Sequence, residues 1–171
     1  NSDLKFKRKF DSLSNGIYKL EHLPEYQTLL LEENDSIWVR INAAAFDESI
    51  VYSGTGASKN NFLIELFLKK ESENEYLSSK YSSDKKVFQK IIDTILLEKK
   101  KLWIQMDSVN KLSPIAQKIT QAAYIYQYAN IKERYALLRG SQWTPKEDSL
   151  FFSYRRSVSY THLTLPTILP V

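Results

Sequence analysis

Apolar and polar residues form short alternating runs in the first part of the chain. The alternation over Ser36–Asn42 and the β-branched run Ser49–Ser53 predict two strands. Apolar residues then recur at helical spacing from Asn60 to about Lys70, with Asn60 or Asn61 as the expected N-cap. This region is therefore predicted to run strand, strand, helix.

The second part of the chain is dominated by helical periodicity. A capped helix is predicted to begin near Ser83 and to end at a run of lysines, and the acidic segment Glu71–Ser83 before it is predicted to be a mobile loop. The apolar run Leu102–Met106 is predicted to be a strand. A long helix follows, with Ser113 at its N-cap and Gly140 after its last turn.

This order of elements favours an α/β fold with a mixed, partly parallel sheet, flanking helices and a helix-rich C-terminal half. We expect an N-terminal lead segment at 1–35, an incomplete α/β domain at 36–156 and a non-native tail at 157–171. The chain begins with Asn1 instead of methionine, so it is expected to be a fragment of a larger protein.

Composition narrows the class of protein. A chain of 171 residues with 43% hydrophobic content is long enough to bury a core. It has no cysteine, which excludes disulfides and thiolate sites and favours a cytoplasmic location. No apolar run approaches the roughly 20 residues of a membrane-spanning helix, so no membrane association is expected. Of the two histidines, only His22 precedes the tail, which argues against a multi-histidine metal site.

Some of the basic residues cluster in three short segments, although the formal net charge is only +4. These segments are Lys5–Lys9, Lys99–Lys101 and Arg155–Arg156. Basic side chains interleaved with aromatic rings can bind a nucleic acid, so a nucleic-acid or protein partner is one hypothesis. Acidic runs of similar weight make a solvated surface the alternative.

The segment Ser157–Val171 contains no charged residue, unlike the rest of the chain. Within it, "VSYTHLTLPT" (Val158 to Thr167) resembles the translation of a sequencing adapter. This resemblance implies that the tail was never selected to pack. The alternative is a C-terminal strand, which its Thr, Tyr, Leu and Val content favours.

The segment "SGTGASKNNFL" follows a predicted strand and opens a predicted helix, which is the setting of a phosphate-binding loop. It resembles the Walker A loop of P-loop ATPases, with Ser53 and Ser58 at the two motif glycines and Asn60 at the Ser/Thr position. The resemblance implies binding of ATP or GTP with Mg²⁺. The candidate cofactor-binding residues are Gly54, Thr55, Gly56, Ala57, Ser58, Lys59 and Asn60.

The segment "KKLWIQMD" resembles a Walker B strand, whose final carboxylate, Asp107, would hold the magnesium. This role requires Asp107 to end a strand next to Ser49–Ser53. The nucleotide hypothesis thus predicts that the strand ends meet.

Two other interpretations of the loop stay open. "GTGAS" (Gly54 to Ser58) also resembles the NAD-binding loop of sirtuin-like domains, although "FLI" replaces the usual continuation and no suitable histidine follows. The loop is otherwise an ordinary strand-to-helix turn. In that case the chain is a non-enzymatic module that binds a nucleic acid or a protein.

Overall fold

The computed structural model describes residues 7–140 and 151–155. Four strands and a short helix make up the first part of these residues, and three long helices follow. The strands are β1 (Gly16–His22), β2 (Glu25–Leu31), β3 (Ser36–Arg40) and β4 (Val51–Thr55), and the helices are α1 (Phe46–Ser49), α2 (Ala57–Lys80), α3 (Lys85–Asn110) and α4 (Pro114–Arg139).

The four strands form two separate antiparallel pairs, β1 with β2 and β3 with β4. The prediction of a mixed α/β fold is confirmed, but the prediction of a partly parallel sheet is wrong. Residues 41–50 join β3 to β4, and a parallel crossover needs about a dozen residues or more. The short connection therefore folds β4 back against β3.

The β1–β2 hairpin lies within the predicted lead segment at 1–35, where the sequence patterns had indicated no strand. Its Leu30 is completely buried and packs with Ala116 and Ile119 of α4. The hairpin is thus part of the hydrophobic core.

Helix α2 begins at Ala57, with Gly56 instead of Asn60 or Asn61 at its N-cap, and continues to Lys80. The prediction of a mobile loop at Glu71–Ser83 is therefore wrong for most of that segment. Leu77 explains the difference, because it is 2% exposed and packs in the core with Phe88. One apolar side chain anchors an otherwise polar helical end.

Helix α3 extends through Leu102–Met106, so the predicted strand there is wrong. The apolar run continues the helical spacing of the preceding residues, and Leu96, Trp103 and Met106 pack together against α2 and α4. Lys99 lies in this buried stripe and is 3% exposed, which hid the periodicity.

Helix α4 confirms its prediction. The Ser113 hydroxyl accepts a hydrogen bond from the Ala116 amide at 3.1 Å, and Gly140 follows the last turn. The helices α2, α3 and α4 pack against one another, while the hairpin and the β3–β4 pair contact α2.

Residues 151–155 pack against α4. Phe151 is 5% exposed, and the ammonium of the buried Lys132 lies 4.2 Å from the centre of its ring. Burial lowers the pKa of Lys132 to about 8. Glu133 accepts hydrogen bonds from Arg155 at 2.5 and 2.6 Å. The tail at 157–171 lies outside the described residues.

Candidate functional site

The predicted cofactor-binding residues lie together where β4 meets α2. Gly54 and Thr55 end β4, Gly56 is the N-cap, and Ala57 to Asn60 form the first turn of α2. Ala57 is buried in the core beside Phe46, whereas Thr55 is exposed.

Both glycines have positive φ angles, 92° at Gly54 and 87° at Gly56. A Cβ atom on Gly54 would lie 2.2 Å from the Ser36 carbonyl oxygen, and one on Gly56 would lie 2.1 Å from Asp35 Oδ1. The glycines are thus explained by close contact with the first residue of β3 and with Asp35, which precedes it. Their presence does not require a ligand.

Asp35 lies against the N-terminus of α2, which is where a phosphate-binding loop would hold its phosphate. Its Oδ2 accepts a hydrogen bond from the Glu32 amide at 2.8 Å and pairs with the Lys59 ammonium at 2.7 Å. The positive end of a helix dipole attracts an anion. In this structure the Asp35 carboxylate of the chain itself occupies the position at the N-terminus of α2 where a bound anion would lie.

Lys59 is 2% exposed, and its ammonium contacts two carboxylates. The distances are 2.7 Å to Glu32 Oε2 and 2.7 Å to Asp35 Oδ2. With both carboxylates ionised, these three groups carry a net charge of about −1, which repels phosphate. A nucleotide could reach Lys59 only by displacing the two acids.

The side chain of Asn60 hydrogen-bonds the outer edge of β2. Its Oδ1 accepts from the Leu30 amide at 2.7 Å, and its Nδ2 donates to the Leu30 carbonyl at 2.9 Å. Nδ2 also donates to the Gly56 carbonyl at 3.1 Å. Asn60 is 0% exposed, so these bonds are made away from solvent.

The side chain of Asn61 hydrogen-bonds the outer edge of β4. Its Oδ1 accepts from the Tyr52 amide at 3.0 Å, and its Nδ2 donates to the Tyr52 carbonyl at 2.8 Å. We name Lys59, Asn60 and Asn61 the KNN segment. Its three consecutive side chains bind the β2–β3 connection, β2 and β4 to the start of α2.

Asp107, the predicted magnesium ligand, lies near the end of α3 and not at the end of a strand. Its two oxygens accept from Gln117 Nε2 at 3.1 and 3.0 Å, and Oδ1 also accepts from the Leu112 amide at 3.2 Å. These contacts join α3 to α4. The adjacent strand ends that the Walker B interpretation requires are not formed.

Sequence reasoning missed Glu32 and Asp35, which belong to one of the acidic runs that it assigned to a solvated surface. Glu32 also accepts a hydrogen bond from the Ser113 hydroxyl, so it joins the start of α2 to the start of α4. The available signal for this ion pair was the position of the two acids, just before the predicted strand Ser36–Asn42 that precedes Lys59 in the chain.

The predicted basic segments are partly engaged in ion pairs within the chain, of which only that of Lys99 is buried. Lys99 donates to Glu73 at 2.5 Å, and Arg155 pairs with Glu133. Lys5 and Arg156 lie outside the described residues. Lys9 also lies 3.9 Å from Asp11, so each of the three segments has one cation paired with a carboxylate of the same chain.

The outer edge of β3 differs from the edges bound by Asn60 and Asn61. Tyr52 directs its amide and carbonyl to Asn61, away from β3, and Val39 is opposite Tyr52. Alternation in an antiparallel pair therefore points the Val39 amide and carbonyl away from β4. Within residues 7–140 and 151–155, no strand pairs with this edge.

No family model matches the chain, and the searches of curated proteins and of solved structures found no significant match either. In the part of the chain that the structure describes, no group of three or more His, Cys, Asp or Glu residues is arranged to hold a metal. Nor does any described helix have the length and apolarity needed to cross a bilayer.

Proposed function

We propose that this chain is a non-enzymatic protein-interaction module whose β3 edge binds an extended segment of a partner protein. The observation that supports this proposal is the contrast between β3 and the other strand edges. An open edge presents unpaired N–H and C=O groups, and natural proteins cover or charge such edges unless they use them.

Three edges are protected. Asn60 binds the edge of β2 and Asn61 binds that of β4. On β1, the residues whose backbone groups face outward include Lys19 and Glu21, because Ile17 is opposite Leu30. Charged residues on an edge discourage pairing.

On β3 the residues whose backbone groups face outward, Ile37 and Val39, are uncharged, and no described side chain bonds their backbone groups. Val39 is 39% exposed, Ile41 is 40% exposed and Trp38 is 66% exposed. Tryptophan is enriched among residues that dominate binding energy at protein interfaces. An open edge with apolar side chains is suited to strand addition.

Side chains beside β3 define the partner segment. On the face that carries Trp38, the next residue is Arg40, which is exposed. A strand paired with β3 would therefore place an apolar or aromatic side chain near Trp38 and an acidic one near Arg40. We infer an extended segment that contains both.

The test begins with linear peptides selected by phage display on the whole chain. The affinity of an enriched peptide is then measured by calorimetry for the wild type, Val39→Pro and Val39→Thr. Proline removes an outward N–H without removing a β3–β4 bond, and it is tolerated on edges. We expect about tenfold weaker binding for Val39→Pro, and a change below about twofold for Val39→Thr, which keeps the donor.

Equal affinity of the peptide for Val39→Pro and the wild type would refute the β3 edge as the binding surface. Far-UV circular dichroism of both variants serves as the folding control. Peptide-induced chemical-shift changes should centre on β3.

Nucleotide binding is the second candidate, favoured by the position of a lysine in the first turn of a 24-residue helix after a glycine-containing loop. It requires Lys59 to exchange two carboxylates for phosphate. ATP or GTP with Mg²⁺ should then raise the melting temperature, and Lys59→Met should abolish that rise. A cytoplasmic location is part of both proposals.

A further inference from the structure

A groove of about 260 Å³ lies between α2 and α4, away from the KNN segment. The buried Leu77 and Ile131 form its apolar floor, and Tyr81 also lines it. Its polar lining includes Lys70, Glu73, Gln127 and Arg134. The volume is just below the usual range for small-molecule sites, so it suits a compact ligand.

Glu73 is the one carboxylate among the described residues that line the groove, and its charge is balanced by Lys99. The Lys99 ammonium donates to Glu73 Oε2 at 2.5 Å and to Gln127 Oε1 at 3.0 Å. The Lys99 side chain is only 3% exposed, so this ion pair is shielded from water and fixes both groove residues. Glu73 therefore repels an incoming anion weakly.

Two cations at the rim have no such partner. Among the described residues, neither Lys70 nor Arg134 has a carboxylate within 4.0 Å. The Arg134 guanidinium lies over the Tyr81 ring, 5.3 Å from its centre, and this contact orients it at the rim. The groove thus combines an apolar floor with an uncompensated positive rim.

We propose that the α2–α4 groove is a binding site for a small organic anion with a single apolar ring. The ring would lie on Leu77 and Ile131, and the anionic group would pair with Arg134, while Lys70 adds positive charge elsewhere along the groove. Arginine favours carboxylate and phosphate because its planar fork donates two parallel hydrogen bonds.

The test is a ¹H–¹⁵N NMR titration of the whole chain with phenyl phosphate, and with benzyl alcohol as a neutral ring of similar size. Arg134→Gln is compared with Lys118→Gln, which removes the same charge from an exposed position on α4 outside the groove. We expect localised shifts at Leu77 and Ile131, at least about fivefold weaker binding for Arg134→Gln, and unchanged binding for Lys118→Gln.

Three results would overturn the proposal. The first is the absence of localised shifts at millimolar phenyl phosphate. The second is equal weakening by Arg134→Gln and Lys118→Gln, which would show attraction by net charge alone. The third is binding of benzyl alcohol as tight as that of phenyl phosphate, which would remove the role of the rim cations.

Discussion

Substitution of Asn60 by alanine should be one of the most destabilising changes at the start of α2. The side chain is fully buried and makes three hydrogen bonds, two of them to the amide and carbonyl of Leu30. Alanine would leave both Leu30 groups without a partner, at about 1–3 kcal/mol each. Allowing for partial relaxation, we expect a loss of about 3 kcal/mol.

The free energy of unfolding is measured by urea denaturation followed by circular dichroism, with the slope checked for constancy. Asn74→Ala on the exposed side of the same helix is the matched control. It should cost nothing, because alanine is the better helix former. A loss for Asn60→Ala within about 1 kcal/mol of that of Asn74→Ala would refute the role assigned to Asn60.

Further predictions concern other buried groups. Lys59→Met leaves Glu32 and Asp35 uncompensated, so unfolding in urea should show a loss of about 3–5 kcal/mol. Gly56→Ala should lower stability by more than about 1 kcal/mol in the same assay, because φ is 87° and Asp35 occupies the space. Burial lowers the pKa of Lys132 to about 8 from 10.5, so the unfolded chain binds more protons between these values and stability should rise with pH there. In urea titrations from pH 7 to 10, the Lys132→Met variant should not show this rise. At pH 7 its free energy of unfolding should exceed that of the wild type by up to about 3 kcal/mol, less the cation–π contribution that methionine removes.

The helices were predictable where caps and periodicity agreed. Helix α4 begins after Ser113 and ends just before Gly140, which are residue types that favour the N-cap and the C-terminal end of a helix. The length of α3 was not predictable from the run Leu102–Met106 alone, because a short apolar run fits a strand or a buried helix. The packing of Trp103 against α2 and α4 stabilises this run as part of a helix.

The site was less predictable, because its chemistry depends on contacts between distant residues. The sequence shows Lys59 beside Asn60, but not that Glu32 pairs with the lysine or that Leu30 pairs with the amide. Both partners lie on strand β2 or just after it, and no motif links them to α2. The Walker A resemblance rests on residue types that serve the fold equally well.

Native-state hydrogen exchange of the edge amides tests the central claim most directly. The Leu30 and Tyr52 amides are bonded by Asn60 and Asn61, whereas those of Ile37 and Val39 face outward from β3 without a partner among the described residues. In the free protein we expect slow exchange at Leu30 and Tyr52 and fast exchange at Ile37 and Val39. In the protein without a bound partner, slow exchange of the Val39 amide would contradict an open β3 edge. Fast exchange of the Leu30 amide would contradict an edge of β2 that is bound by the KNN segment.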